Sequence, residues 1–162
     1  VIDCTWNKIF RNDSFVYEST IIFKCKNKYE INFGLTIMDG LFPSVYPVDD
    51  KFSTLSDVEF TPFCKTNKYE DAYEAIQNIN DSKIMEIKEN MVKKISFYFP
   101  QFTEYYEIIE PIFSIKTKTS NNSTDDRSSY LIKVDENIYS VFSGKIDTIF
   151  DIEFELMSNF LR

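Results

Sequence analysis

The stretch FVYESTIIFKCK, residues 15–26, alternates between apolar and polar side chains. Because successive side chains of a strand point to opposite faces, this two-residue period predicts a half-buried β-strand. The same alternation returns in residues 31–37, after the turn signal Asn27-Lys28. Two such strands across a short polar turn predict an antiparallel hairpin. The side chains expected on the polar face of the first strand are Glu18, Thr20, Lys24 and Lys26.

The apolar period changes after residue 66 to about 3.6 residues, which is the period of a helix. One helix is predicted to begin near Asp81 and to end before Pro100, because the residue before a proline avoids the α region. Its apolar stripe is formed by Ile84, Ile87, Met91 and Ile95. A last helix is predicted from Ile146 onward, and the side chains expected to face inward are Ile149, Phe150, Phe154, Met157 and Leu161.

Strand character is also present in residues 55–63, 108–119, 129–134 and 138–142. The last two of these strands are expected to join across the polar residues 135–137. The chain order is therefore strands, helices, strands and a final helix. This order predicts an α+β fold with a largely antiparallel β-sheet and helices packed on one side.

The composition of the 162 residues excludes several classes of function. The net charge is −8, which disfavours binding to nucleic acid and to anionic membrane surfaces. The chain contains no histidine, so Ser-His-Asp, Cys-His and His-metal mechanisms are excluded within it. Its three glycines, Gly34, Gly40 and Gly144, are too far apart for a glycine-rich phosphate loop. The chain therefore carries no self-contained dinucleotide-binding loop, and no metal site is predicted.

The three cysteines, Cys4, Cys25 and Cys64, form no C-x-x-C pair. Free thiols in a reducing compartment are the simplest interpretation, and a cytoplasmic location is therefore predicted. No apolar run approaches the roughly 20 residues that a membrane-spanning helix needs. The first residue is Val1 and not methionine, so we expect the chain to begin inside a longer gene product.

A turn at Ser143-Gly144-Lys145 lies between a predicted strand and the last helix. A glycine lets the backbone approach a ligand closely, and the first turn of a helix has unpaired amide donors. Such an end can hold an anion or an electron-rich ring edge. The alternative is an ordinary strand-to-helix turn with a surface lysine.

Two further polar segments are candidates for a binding site. Asp39-Gly40 follows a predicted strand and can line a site, although Asp-Gly is also a favoured pair in tight turns. Arg127 follows two aspartates and can clamp a carboxylate with two hydrogen bonds. The alternative for Arg127 is a solvated loop with local ion pairs.

Several short segments, taken together, resemble a family of flavoproteins. VIDCTWN, residues 1–7, resembles the returning β-strand of a flavoprotein Rossmann domain. LTIMDGLFPS, residues 35–44, resembles the TxMDGxFxS stretch of D-amino-acid-oxidase-like (DAO) FAD-dependent oxidoreductases. LSDVEFTP, residues 55–62, resembles the LSxVxxTP segment downstream in the same proteins. The motifs that follow in the expected order are YFP at 98–100, IKTK at 115–118, DR at 126–127 and VFSGKI at 141–146.

The resemblance implies three parts of a larger FAD enzyme. Residues 1–8 would be the returning strand of the FAD-binding domain, residues 9–140 the substrate-binding α+β domain, and residues 141–162 the strand end and helix that return to the flavin. Thr5 and Trp6 are expected near the dinucleotide. The residues expected to face the flavin ring are Ser143, Gly144, Lys145 and Ile146. The residues expected around the substrate are Arg127, Lys116 and Asp39.

The activity implied by the resemblance is oxidation of a C–N or C–O bond of a small substrate, with hydride transfer to FAD. The glycine-rich unit that holds the FAD pyrophosphate is absent from the chain, so an N-terminal FAD-binding segment is expected as a missing partner. The alternative function is a non-catalytic α+β module that binds a ligand or another protein.

Overall fold

The computed structural model describes residues 1–30, 33–38, 40–120, 129–143 and 148–160 of the chain. Within these residues the backbone forms nine strands and four helices. The strands are β1 Ile2–Asp3, β2 Phe15–Asn27, β3 Leu35–Thr36, β4 Pro43–Pro47, β5 Phe52–Asp57, β6 Pro62–Thr66, β7 Tyr106–Thr119, β8 Tyr130–Asp135 and β9 Ile138–Phe142. The helices are α1 Tyr69–Gln77, α2 Asp81–Tyr98, α3 Phe102–Tyr105 and α4 Ile149–Phe160.

The strands form two sheets. The larger sheet has the order β3-β4-β5-β2-β6, and β7 also pairs with β2. Its β3–β4, β4–β5 and β5–β2 pairs are antiparallel. The smaller sheet has the order β1-β9-β8, in which β8 and β9 form the expected antiparallel pair while β1 and β9 are parallel. The predicted α+β class with a largely antiparallel sheet is confirmed.

The chain divides into two compact units. The first unit comprises Val1–Tyr17, Thr66–Tyr69 and Lys116–Arg162, and it contains the smaller sheet and α4. The second unit comprises Glu18–Lys65 and Glu70–Ile115, and it contains α2 and most of the larger sheet. The division at residues 1–8, 9–140 and 141–162 stays a prediction about a larger enzyme.

Helix α2 supplies one side of the core of the second unit. Its N-cap is Asn80, whose side-chain oxygen accepts a hydrogen bond from the backbone amide of Lys83 at 2.8 Å. The predicted apolar stripe is confirmed for Ile87, Met91 and Ile95, which are buried, while Ile84 is half-buried against the same cluster. These side chains pack in one cluster with buried residues of the sheet and of the segment after α2, namely Ile21, Phe23, Cys25, Val45, Leu55, Phe102 and Tyr106.

The predicted hairpin of residues 15–26 with residues 31–37 is wrong. Strand β2 pairs with β5, with Phe23 opposite Leu55, and both β4 and β5 separate β3 from β2 in the sheet. The physical reason is that β2 is an interior strand and not one half of an isolated ribbon. Glu18 and Thr20, which the alternation assigned to the polar face, are buried. Alternation therefore identified the strand but neither its neighbours nor its second covered face.

The predicted continuous strand over residues 55–63 is also wrong. Strand β5 ends at Asp57, and a turn precedes β6. The carboxylate oxygen Oδ1 of Asp57 accepts hydrogen bonds from the backbone amides of Glu59 at 2.8 Å and Phe60 at 3.2 Å. These amides are no longer available to a sheet, because an aspartate side chain competes with the backbone ladder for them. The aspartate thus ends the strand inside the LSDVEFTP segment.

The inward face expected for the last helix is wrong for the residues that the structure describes. In α4 the side chains of Phe150, Phe154 and Met157 are 72%, 75% and 54% exposed, whereas Ile152 is buried. The helix has apolar residues on two faces, and periodicity alone does not decide which face meets the core. The side chain of Ile149 and the whole of Leu161 lie outside the described residues.

Candidate functional site

Strands β1 and β9 lie side by side and run in the same direction, although they are far apart in the sequence. Ile2 lies opposite Tyr139 and Asp3 lies opposite Ser140. Since the strands run in the same direction, Thr5 and Trp6 follow one carboxyl end and Ser143 follows the other, at the same edge. In sheets with parallel strands, ligands characteristically bind outside the carboxyl ends. The carboxyl edge is our name for this end of the two strands, where Thr5, Trp6 and Ser143 lie.

Asp3 organises the chain as it leaves β1. Its buried carboxylate accepts hydrogen bonds from the backbone amide of Thr5 at 2.9 Å and from the amide of Phe10 at 3.4 Å. The Ser140 hydroxyl on β9 donates to it at 3.4 Å. Burial acts to raise the pKa of Asp3, but the hydrogen bonds from Thr5, Phe10 and Ser140 outweigh it and lower the pKa below 3.8. Asp3 is therefore an anion at neutral pH that closes the loop onto the sheet.

Two consecutive residues after β1, Trp6 and Asn7, have left-handed backbone conformations with φ values of 58° and 65°. This region is unusual for non-glycine residues and costs about 1–2 kcal/mol for most of them. The buried side chain of Asn7 donates to the Asn12 carbonyl at 3.1 Å and accepts from the Asn12 amide at 2.7 Å. Its amide group also donates to the Tyr17 hydroxyl at 3.0 Å. These bonds hold the bend in place.

Two side-chain hydroxyl groups also donate hydrogen bonds to backbone carbonyls of the bend. The Tyr17 hydroxyl donates to the carbonyl of Asn7 at 2.6 Å, and the Thr117 hydroxyl donates to the carbonyl of Trp6 at 2.9 Å. Backbone conformations of this kind concentrate at ligand-binding and active sites, where the surrounding structure maintains them. The bend is thus a built feature of the first unit, and it determines where the Trp6 side chain lies.

The indole of Trp6 offers an aromatic surface at the carboxyl edge. It packs edge-on against the ring of Phe142, with the ring centroids 5.8 Å apart and the planes at 71°. Phe142 in turn packs on Phe15 at 4.7 Å, so the indole rests on a buried aromatic cluster. The Trp6 side chain is nevertheless 51% exposed. A planar ligand ring can stack on such an anchored and accessible indole.

Ser143 takes part in a chain of three hydroxyl groups. The Ser129 hydroxyl donates to Ser143 at 3.0 Å and shares a hydrogen bond with the Thr148 hydroxyl at 2.6 Å. Ser143 and Thr148 are the described residues on either side of residues 144–147. The Ser129 hydroxyl, directly before β8, therefore joins these two described residues, and the three hydroxyl groups can both donate and accept hydrogen bonds.

The structure describes only part of the predicted site. Thr5, Trp6 and Ser143 are brought to one edge, and Lys116 is exposed on β7, next to the Thr117 that holds the Trp6 carbonyl. The predicted site residues that lie outside the described residues are Asp39, Arg127, Gly144, Lys145 and Ile146. Gly40 has a φ of 65°, which fits the turn alternative for the Asp39-Gly40 pair.

The residues that hold the carboxyl edge were not identified from the sequence. Asn7 and Tyr17 act through contacts with residues that no short motif connects to them, and Asp3 does so in its bonds with Phe10 and Ser140. The one available signal was the residue type of Asn7, because asparagine is enriched among left-handed residues. A motif search had no means of pairing it with Tyr17, which lies ten residues away on the next strand.

Other chemistries receive no support from the described part of the chain. No group of three or more cysteine, aspartate or glutamate side chains able to hold a metal ion is found there. Cys4, Cys25 and Cys64 are free thiols, and burial raises the pKa of Cys25 to about 12. Among the described helices, none is both long enough and apolar enough to cross a membrane.

Sequence comparison finds similarity to an FAD-dependent enzyme. No family model matches the chain. A solved FAD-dependent oxidoreductase from Pseudomonas aeruginosa aligns with 91% of this chain and 39% of its own, at 8% identity and a TM-score of 0.46. The chain is 33% identical over 152 residues to the FAD-dependent monooxygenase FPY4 of Fusarium mangiferae, a match that covers 93% of the chain. This chain is thus similar, along nearly its whole length, to 40% of an FAD-dependent enzyme.

Proposed function

We propose that this chain is the C-terminal, substrate-binding part of an FAD-dependent oxidoreductase of the D-amino-acid-oxidase-like family. The whole enzyme oxidises a C–N or C–O bond of a small substrate. The observation that carries the proposal is the carboxyl edge, where two adjacent parallel strands present an anchored indole and a serine hydroxyl. The sequence similarity to an FAD-dependent monooxygenase supports the choice of cofactor.

The groups at the carboxyl edge fit a dinucleotide with a planar ring. Thr5 and Ser143 offer hydroxyl groups for hydrogen bonding, and Trp6 offers a face for stacking. No glycine-rich loop is available in the sequence to hold a pyrophosphate. We therefore assign the pyrophosphate to an N-terminal FAD-binding segment that precedes Val1. We call a polypeptide that contains both this chain and that segment the complete polypeptide.

The residues of this chain bind and orient, and they carry no histidine-based proton relay. Bound FAD supplies the ring that accepts a hydride. Trp6 would exclude water from one face of the cofactor, and the Ser143–Ser129–Thr148 hydroxyls hold the two described residues on either side of residues 144–147. In this proposal Arg127, Lys116 and Asp39 supply the charges that position a small polar substrate. We place the enzyme in the cytoplasm because its three cysteines are free thiols.

The proposal predicts a difference in FAD binding between this chain and the complete polypeptide. Residues 1–162 alone should bind FAD weakly or not at all, because they lack a pyrophosphate cradle. The complete polypeptide should hold one FAD per molecule. Calorimetric titration and the visible absorbance of bound flavin measure both. A complete polypeptide that binds no FAD would favour the non-catalytic module, and stoichiometric submicromolar binding by residues 1–162 would show that no further segment is needed.

A further inference from the structure

Tyr69, the first residue of α1, contacts two side chains near the carboxyl edge. Its ring is nearly perpendicular to the ring of Tyr17, with the centroids 5.7 Å apart and the planes at 86°. The ammonium group of Lys8 lies over the Tyr69 ring, 4.8 Å from its centroid. Both arrangements are attractive, because an aromatic ring is electron-rich over its face and electron-poor at its edge. The half-buried Tyr69 ring therefore joins the buried Tyr17 to the exposed Lys8.

These contacts form a closed loop with the bend that follows β1. The Tyr17 hydroxyl accepts a hydrogen bond from the side chain of Asn7 at 3.0 Å and donates one to the Asn7 carbonyl at 2.6 Å. Lys8 follows Asn7 directly in the chain, and it returns to Tyr17 through Tyr69. We call this set of four side chains the tyrosine clamp, and its members are Asn7, Tyr17, Tyr69 and Lys8.

The tyrosine clamp holds the two residues that follow Trp6. Trp6 itself is held through the Thr117 hydroxyl at its carbonyl and through the Phe142 ring at its indole. Trp6 and Asn7 both have left-handed backbones, which persist where the surrounding structure maintains them. A half-exposed side chain on such a backbone has a fixed direction only while the bend is fixed. The clamp therefore sets the direction in which the free surface of the indole points.

We propose that Tyr69 is a positioning residue for the flavin, because through Tyr17 and Lys8 it fixes the bend that presents the Trp6 indole to the cofactor ring. This inference rests on the proposed function, which places the flavin at the carboxyl edge. Holding a binding side chain in its bound orientation increases affinity, since less conformational freedom is lost when the ligand binds. The inference assigns to Tyr69 and Lys8 a part in cofactor binding that they perform through Trp6.

A double-mutant cycle on the dissociation constant of FAD tests this in the complete polypeptide, by calorimetric titration. Tyr69→Leu removes the ring but keeps an apolar side chain, and it should raise the dissociation constant about fivefold. In the Trp6→Ser background the same change should raise it by less than about twofold, because the indole that Tyr69 positions is gone. Tyr69→Phe keeps the ring and should stay within about twofold of the native value. Tyr73→Leu, at an exposed tyrosine of the same helix, should have no effect in either background.

Additive effects of Tyr69→Leu and Trp6→Ser would show that Tyr69 does not act through Trp6, and they would overturn the inference. Native FAD affinity in folded Tyr69→Leu would overturn it as well. If Tyr69→Leu does not fold, as judged by circular dichroism, Lys8→Met carries the same cycle, since Lys8 is exposed. Its expected effect is a rise of about threefold that disappears in the Trp6→Ser background, and a rise that persists there would overturn the inference as a direct charge effect. All these results leave FAD binding and the proposed function in place, whereas a native complete polypeptide without FAD would overturn both.

Discussion

Replacing Asn7 with alanine is expected to lower the free energy of unfolding by about 3 kcal/mol. The variant removes three side-chain hydrogen bonds. The Asn12 amide loses the acceptor that it has in the native protein, whereas the Asn12 carbonyl keeps the Phe15 amide and the Tyr17 hydroxyl keeps the backbone carbonyl of residue 7. It also places an alanine at a φ of 65°. Urea unfolding followed by tryptophan fluorescence measures the change, since Trp6 is the single tryptophan in the chain. The native emission should also shift, because Trp6 adjoins the bend.

Glycine at the same position provides the control for the backbone. Asn7→Gly loses the same hydrogen bonds but accepts a left-handed conformation, so it should be more stable than Asn7→Ala by about 1 kcal/mol. If both variants have the same urea midpoint of unfolding as the native protein, the hydrogen bonds of Asn7 do not hold the bend. If only the glycine variant is native-like, the backbone conformation alone accounts for the choice of residue.

A comparable loss is expected from Lys94→Met in the second unit. The side chain of Asp57 is fully buried, and its oxygen Oδ1 lies 3.2 Å from the ammonium group of Lys94. Lys94 also contacts Glu59 at 2.8 Å. The other oxygen of Asp57, Oδ2, has no hydrogen-bond partner among the described residues. Removing the lysine leaves a buried carboxylate held only by backbone amides, which should cost about 2–4 kcal/mol.

Lys93→Met is the matched control for this variant, because Lys93 is an exposed lysine on the same helix. It should change the free energy of unfolding by less than about 0.5 kcal/mol. Urea unfolding monitored by circular dichroism compares the two. Equal midpoints would show that the buried carboxylate does not depend on Lys94.

The pH dependence of this ion pair has a definite sign. Burial acts to lower the pKa of Lys94, but hydrogen bonds and charge from Glu59 and Asp57 outweigh it and raise the pKa above 10.5. A raised pKa in the folded state means that the stabilisation is fully present below the unfolded value and is lost as pH rises through the folded value. The difference between native protein and Lys94→Met should therefore stay constant at neutral pH and shrink only in strongly alkaline solution.

Local patterns predicted those elements whose partners are close in sequence. The stripe of α2 and its end before Pro100 follow from helical spacing and proline geometry, and β8 with β9 follows from two strands across a short turn. The pairing of β1 with β9 joins residues 137 positions apart, which no local pattern encodes. The same limitation explains the hairpin that was wrongly assigned to β2, whose actual partner β5 is set by the packing of the whole sheet.

In the candidate site, too, some residues could be selected from the sequence and others could not. Thr5, Trp6 and Ser143 were selected through resemblance to a family, and the structure places them at one edge without testing their role. Asn7 and Tyr17 were not selected, because their contribution lies in buried hydrogen bonds that appear only once β2 is folded. The exposed face of α4 was assigned to the core, since an amphipathic pattern cannot distinguish a covered face from a face that awaits a partner.

The most direct test of the carboxyl edge as the flavin site is the dissociation constant of FAD in the complete polypeptide carrying Trp6→Ser or Tyr73→Ser. The two side chains are 51% and 52% exposed, so both variants remove similar accessible aromatic surface. Loss of a stacking contact at Trp6 should raise the dissociation constant about tenfold, equivalent to about 1.4 kcal/mol, and Tyr73→Ser should leave it unchanged. Equal FAD affinity in the two folded variants would contradict the placement of the cofactor at this edge.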